Sequence, residues 1–354
     1  MCRIAREEKN IEAGRKREAH KKLTVVILLL CLSILIPVAI VVGSADLRVL
    51  EVCKILLKSL PLVGEGFAFS VDPFAQTIIL NLRLPRIILS ILVGAALSVS
   101  GVIFQALFGN PLAEPYVLGT SAGAALGVAL AFFFNFSSVP LSAFIGALGA
   151  TALVYGISRV GKKVPITVLL LSGVALGSLL SAVTSLLMLL HKEEHLKVLI
   201  FTMGGFPTGD WSKVTGILPY LCVGAIIVLL YLRDLDLLLL GEEKAHQLGV
   251  DLPRLQIILV FSASLLVAAA VSVSGIIGFV GLMAPHFVRL IVGPEHKSLF
   301  PLSALAGGVF LLAADTIGRT VFSPLELPVG IITALTGAPF FLYLLRRKRR
   351  SGLF

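Results

Sequence analysis

The chain has 354 residues, 57 % hydrophobic and only 14 % charged, with a formal net charge of +10 and a mean hydropathy of +1.00. Soluble domains carry about 25 % charged residues, so this deficit excludes an ordinary soluble protein and points to a membrane. The positive charge does not form a nucleic-acid patch. Eight lysines or arginines lie in residues 1–22 and five form RRKRR at Arg346–Arg350, both flanking apolar segments as the positive-inside rule describes.

The first apolar run, Leu23–Val42, has twenty residues without a charge, and a span needs about 20. Residues 1–22 lack the short charged start and small-residue cleavage site of a secretion signal, so this run reads as a retained helix. Further spans are predicted near 84–107, 116–135, 139–158, 165–190, 213–232, 255–274, 276–292, 299–316 and 328–345, with the first at 23–43. The expected organisation is a basic cytoplasmic tail (1–22), a ten-span domain (23–345) with a polar segment at about 236–250, and a basic tail (346–354). Ten spans put both tails on one side, which the charge rule makes cytoplasmic. The turn RVGKK at Arg159–Lys163 then falls inside and HKEEHLK at His191–Lys197 outside.

GEEKAHQLGV, Gly241–Val250, also falls inside, between spans six and seven. Its charges exclude it from hydrocarbon. Its composition predicts a short helix ended by Gly249, with Ala245 and Leu248 forming an apolar edge beside Glu242, Glu243 and His246. A plain solvent-exposed loop is the alternative.

Glycine and proline are plentiful, at 33 and 17. GAALGVAL and LSGVALGS have the small residues of close helix packing, and Pro111, Pro115 and Pro285 predict interrupted helices. Two internal echoes suggest repeats of opposite orientation. Leu84-Pro85-Arg86 and Leu252-Pro253-Arg254 each precede a span. SVSG recurs at Ser98 and Ser272, each time with a proline thirteen positions on and a glycine eight beyond.

Catalytic signatures are missing. There is no GxxxxGK[ST] phosphate loop, HExxH motif or nucleophile elbow, and Cys2, Cys31, Cys53 and Cys222 have no metal-site spacing. His286 reads as a helix-break or packing residue, and Asp315 with Arg319 as an ion pair on one helix face. These features make an enzyme the wrong class and leave metal ligands unassigned.

LRLPRIILSILVGAALSVSG, QALFGNPLAEPYVLGTSAGAALG, GFVGLMAPHFVRLIVGPEH and ELPVGIITALTGAPFFLYLL together resemble the FecCD-type permeases, from about residue 24 to residue 345. These are membrane subunits of ABC importers for iron chelates, haem and vitamin B12. The resemblance implies an all-α, type II importer fold with ten spans and inverted repeats, working as a homodimer. It implies two ATP-binding-cassette ATPase subunits inside, which use ATP and Mg, and an extracytoplasmic substrate-binding protein outside. The chain itself is expected to bind no cofactor. Leu240, Gly241, Glu242, Glu243, Lys244, Ala245, His246, Gln247, Leu248 and Gly249 match the coupling helices that contact the ATPase. Arg83, Arg86 and Arg319 match arginines that dock the binding protein, a task suited to the planar guanidinium fork. Ile166 and Thr167 match an inner gate.

The cargo is not written in the spans. Iron chelate is the first expectation, vitamin B12 the second, and a molybdate or tungstate oxyanion a third. A proton- or sodium-coupled carrier is the rival class. It calls for an ionisable relay at mid-membrane, where only Glu114 and Asp315 offer themselves, both near span ends.

Overall fold

In a lipid core every backbone polar group must find a partner within the protein, and a long uncharged run does so only as a helix. The computed structural model describes residues 2–43, 48–59, 71–161, 164–191 and 193–350, and their regular structure is entirely helical. Helix α1 (Cys2–Val41) continues the basic N-terminal segment into the first span without a break. After α2 (Val49–Lys58), α3 (Pro73–Thr77) passes through a π-helical stretch, Ile78–Arg83, into α4 (Leu84–Leu107). A 3-10 turn, Pro115–Leu118, leads into α5 (Thr120–Phe133), followed by α6 (Val139–Ile157), α7 (Ile166–Leu190) and the short α8 (His195–Met203). Next come α9 (Trp211–Leu230), α10 (Leu232–Leu238), α11 (Glu242–Gln247), α12 (Leu252–Ser274), α13 (Val280–Val292), α14 (His296–Thr320) and α15 (Val329–Arg350).

Among the described residues seven helices are long and apolar enough to cross a membrane, and α5, α13 and Val329–Leu344 of α15 are shorter apolar helices. These ten correspond one for one to the predicted spans. Arg346–Arg350 prolong α15, and residues 351–354 lie outside the described residues. Sequence reading missed α2, α3 and α8. Of the stretch 191–197, expected on the outside, His195–Lys197 form the first turn of α8.

Contacts sort the helix ends into two groups. At one end, Lys21 of α1 pairs with Glu295, the neighbouring His296 meets Asp236 of α10, and Gln256 of α12 donates to the Val164 carbonyl before α7. This is the insert end, where α10 and α11 sit. At the other end, Arg83 donates to the carbonyls of Ile40 and Val41, Arg86 reaches Asp315, and Gly205 donates to Ser274 at 2.7 Å. This is the arginine end. Helix α4 therefore starts where α12 finishes, and the two run in opposite senses. The Leu-Pro-Arg pair stands at the start of both: Pro253 lies in the first turn of α12, where its missing N–H costs no helical bond, whereas Pro85 marks the change from the π-helical stretch to α4.

The SVSG echo does not mark equivalent places. Ser98–Gly101 lies inside α4, whereas Ser272–Gly275 ends α12, with Gly275 at φ +67°. Pro285 also does not interrupt its helix, contrary to expectation. It sits within α13, and the Gly281 carbonyl four residues before it, which proline cannot bond, accepts from Gln105 Nε2 of α4 at 3.3 Å.

The real interruptions are 108–119 and 275–279, and they satisfy one another. Glu114 Oε1 accepts the Phe279 N–H at 2.9 Å, and the Tyr116 hydroxyl donates to the Ile277 carbonyl at 3.0 Å while accepting the Ile277 N–H. Phe279 has φ +68°, a left-handed conformation that this cross-bracing holds at the start of α13. Irregular backbone survives at membrane depth only with such partners.

The centre of the bundle is α4, α12 and α14. Helices in lipid gain little from burying apolar surface, so close backbone approach drives their packing. A Cβ on Gly94 of α4 would collide with the Gly307 carbonyl of α14, and one on Gly101 with the Gly281 carbonyl of α13. Helix α7 lies at the periphery and leaves most of its surface uncovered.

Candidate functional site

The insert end carries the polar segment singled out by its charges. Helices α10 and α11 are joined through Gly241 at φ +97°, and α11 ends at Gly249, φ +91°, as predicted. There the Val250 N–H bonds the Ala245 carbonyl at 3.1 Å and the Gly249 N–H bonds that of His246 at 3.0 Å. Those two bonds form a Schellman motif, with buried Val250 and Ala245 as its apolar contact.

The apolar edge requires correction. Ala245 is 0 % exposed and packs into the chain's own core with Leu235 and Leu255, so it cannot face a partner. Leu248, at 57 %, is exposed, and so are Leu239 and Leu240 of the α10–α11 connection. Leu240, Gly241, Glu242, Glu243, Lys244, His246, Gln247, Leu248 and Gly249 all lie at the surface. The available surface is thus three leucines set among carboxylates, a lysine and a histidine. Sequence reading missed Leu239, which belonged in its own logic to the preceding apolar run.

Ile166 and Thr167 open α7 at this same end. Ile166 lines a cavity of about 570 Å³ with Leu107, Leu238, Glu242, His246 and Gln256, which places it beside the insert. Thr167 is exposed.

At the arginine end the three singled-out arginines come together, but inside the protein. Arg86 lays its fork on Asp315, with Nη2 to Oδ1 at 2.9 Å, and its Nη1 reaches Glu326 at 2.8 Å. Arg319 Nε lies 3.2 Å from Asp315 Oδ2, the predicted pair one helical turn apart, and its Nη2 donates to the Ala39 carbonyl. Arg83 and Arg319 are only 6 % and 4 % exposed. Asp315 is fully buried and ties α4 to α14, a partnership 229 residues apart that the sequence did not show. Glu326 remains partly exposed. A cavity of about 470 Å³ opens beside this cluster, lined by Arg86, Lys197, Phe201, Lys213, Ser274 and Glu326 among others. Asp210 caps α9, the helix that carries Lys213, and hydrogen bonds from the Ser212 hydroxyl and N–H hold its carboxyl below the usual aspartate range.

Among the described residues no three His, Cys, Asp or Glu side chains gather as metal ligands, and Cys31, Cys53 and Cys222 are free thiols. Charged groups cluster at the two ends, and Glu114 and Asp315 are both engaged in fixed contacts.

Among the described residues, a bundle of ten apolar helices, with two irregular connections that brace one another and a polar two-helix insert at one end, defines a multi-pass membrane permease. The chain belongs to the FecCD transport family, which it matches over residues 28–347. It is 48 % identical over 288 residues to the cobalamin import system permease protein BtuC of Halobacterium salinarum, covering 80 % of this chain and 78 % of that one. Identity to the hemin transport system permease protein HmuU of Yersinia pestis is 42 %, covering 77 % and 85 % of the two chains. The molybdate import system permease protein MolB of Haemophilus influenzae is 38 % identical, covering 92 % and 96 %. A solved metal-chelate type ABC transporter in an inward-facing conformation superposes with a TM-score of 0.79 at 35 % identity, covering 92 % of this chain and 99 % of that one. The protein is accordingly an ABC importer permease, a transport subunit and not an enzyme.

Proposed function

We propose that this chain passes a bulky metal chelate inward across the cytoplasmic membrane, as a homodimer driven by two separate ATPase subunits that use ATP and Mg. The observation that carries the reading is the surface of the insert. Leu239, Leu240 and Leu248 are exposed beyond the span ends, at the same end as the basic starts and finishes of α1 and α15. Apolar side chains set among charges, outside hydrocarbon, fit a protein partner. On this reading the insert end and both termini are cytoplasmic, and the exposed residues of 240–249 receive the ATPase, with Ala245 buried behind them. Ile166 and Thr167, beside the insert, form the inner gate.

The arginine end then faces the substrate-binding protein. Arg83, Arg86 and Arg319 take part in docking by exchanging internal partners for acidic groups of that protein, beginning with Arg86, whose Glu326 contact is the accessible one. The lightly covered α7 is the face offered to the second copy. Iron chelate is the first cargo reading. Cobalamin is the second, favoured by the 48 % identity to a permease named for cobalamin import.

The test is reconstitution in vesicles with the ATPase and the binding protein, offering a ferric siderophore, haem, cobalamin and molybdate in turn. Uptake of one chelate, dependent on ATP and lost together with ATPase co-purification in Leu240→Asp, Leu248→Asp, is the expected result. Uptake driven by a proton or sodium gradient without ATP would instead establish a coupled carrier.

A further inference from the structure

Helix α14 starts without a cap of its own. Its N-cap residue, Glu295, has an extended backbone and makes no capping hydrogen bond. That carboxylate is turned to Lys21 of α1, 2.6 Å away. The first N–H groups of a helix have no intrahelical partners, and its N-terminus attracts negative charge. For α14 the charge comes from another element. Asp236 Oδ1, on α10, accepts the His296 backbone N–H at 2.8 Å and lies 2.7 Å from His296 Nδ1. Because the oxygen belongs to a carboxylate, the ring places its Nδ1 proton on the same atom. A single oxygen of α10 thus grips both the backbone and the ring of the first residue of α14. The His296 ring is fully buried, so the grip has little room to slip.

What α14 reaches at its other end gives the contact its meaning. The helix runs 25 residues, about 37 Å at 1.5 Å per residue, from the insert end to the arginine end. On the way it packs against α4 with backbone-close contact at Gly94 and Gly307. Near its finish Asp315 holds Arg86 and Arg319. Helix α10 is itself seated on the bundle. Leu235 is buried, and α10 packs against α4, α11 and α14.

We propose that Asp236 is a positioning residue of transport, a cap supplied in trans through which displacement of the α10–α11 insert is passed to α14 and along it to the arginine cluster. This rests on the reading that the insert receives the ATPase. His296 is the receiving half of the joint, and Lys21–Glu295 fixes the same turn from α1. A helix cap is well suited to this work. It binds the helix at its axis, so that a shift of the carboxylate pulls the whole rod and does not merely bend a side chain.

The experiment uses the complete complex with its ATPase and binding protein in vesicles, and reads ATP hydrolysed per chelate molecule imported. In Asp236→Ala this ratio is expected to rise at least fivefold. In Asp236→Asn, which keeps an oxygen able to accept the His296 N–H, the rise is expected to be smaller. His296→Gln is expected to fall between the two. A ratio equal to wild type in Asp236→Ala, whether both rates hold or both fall together, overturns the proposal, because a merely structural cap lowers both in step. Should Asp236→Ala fail to accumulate, wild-type ratios in both Asp236→Asn and His296→Gln overturn it equally. ATPase co-purification separates this from the underlying reading. Retention of the complex by Leu240→Asp, Leu248→Asp defeats the coupling role of the insert, whereas a wild-type ratio in the Asp236 variants defeats only the joint.

Discussion

Removing Asp315 tests how the arginine end is held together. The carboxylate is fully buried and faces Arg86, whose side chain is 11 % exposed, and Arg319, at 4 %. It accepts Arg86 Nε and Nη2 at 2.9–3.2 Å and stands 3.2 Å from Arg319 Nε. With Arg83, Arg86 and Arg319 against Asp315 and Glu326, the cluster carries one surplus positive charge, and Asp315→Ala raises that to two. Deleting one partner of a buried pair leaves an uncompensated charge and costs about 3–5 kcal/mol, a range that already contains the lost hydrogen bonds. Glu326 provides the internal control. Its side chain is 38 % exposed, and such a surface pair contributes about 0–1 kcal/mol. Unfolding of the purified protein in mixed micelles, titrated with a denaturing detergent, therefore ranks Asp315→Ala well below Glu326→Gln. Equal stability of the two variants would show that the burial of Asp315 carries no energetic weight and that water reaches the cluster.

Two further outcomes follow from local geometry. Gln105→Leu strands the Gly281 carbonyl that Pro285 leaves unbonded, so it should cost about 1–3 kcal/mol in the same unfolding assay. Asp210 is held below its ordinary pKa by Ser212, so its capping contribution is complete above about pH 4 and is lost as the pH falls through the lowered value. Comparing wild type with Asp210→Asn at pH 6 and pH 3 should show the difference between them shrinking on acidification.

The spans were legible because each one satisfies a length and polarity requirement set by lipid, which any stretch of sequence reveals locally. The polar insert was legible for the converse reason, since its charges cannot enter hydrocarbon. Helices α2 and α8 were not, because helices of 10 and 9 residues do not need a run of uncharged sequence and take their order from what they lie against. The SVSG echo misled because small residues recur wherever helices approach closely, at the middle of α4 and at the end of α12 alike, without any equivalence of position. Leu-Pro-Arg was the sounder signal. Proline is favoured in the first turn of a helix, and here the motif stands at the start of α4 and of α12, so it marks a place along the element and not merely a composition.

Site residues divide along the same line. Asp315 and Arg319 share a helix face, and their pairing could be read from a separation of four. The partners that make these residues matter come from far along the chain: Arg86 for Asp315, Gln105 for the Gly281 carbonyl, Glu114 for the Phe279 N–H, and His296 for Asp236. Every one of these contacts joins a polar side chain to a place where helical hydrogen bonding or charge balance fails, whether a proline, a broken segment, a helix start or a buried charge. Sequence can mark such deficits, as Pro285 and the glycines around Phe279 do, but it cannot say which donor or acceptor meets them. Ala245 makes the same point from the apolar side. The helical period correctly set it on an edge, yet only the approach of α10 and α12 decided that this edge closes on the protein and that Leu239, Leu240 and Leu248 are left for a partner.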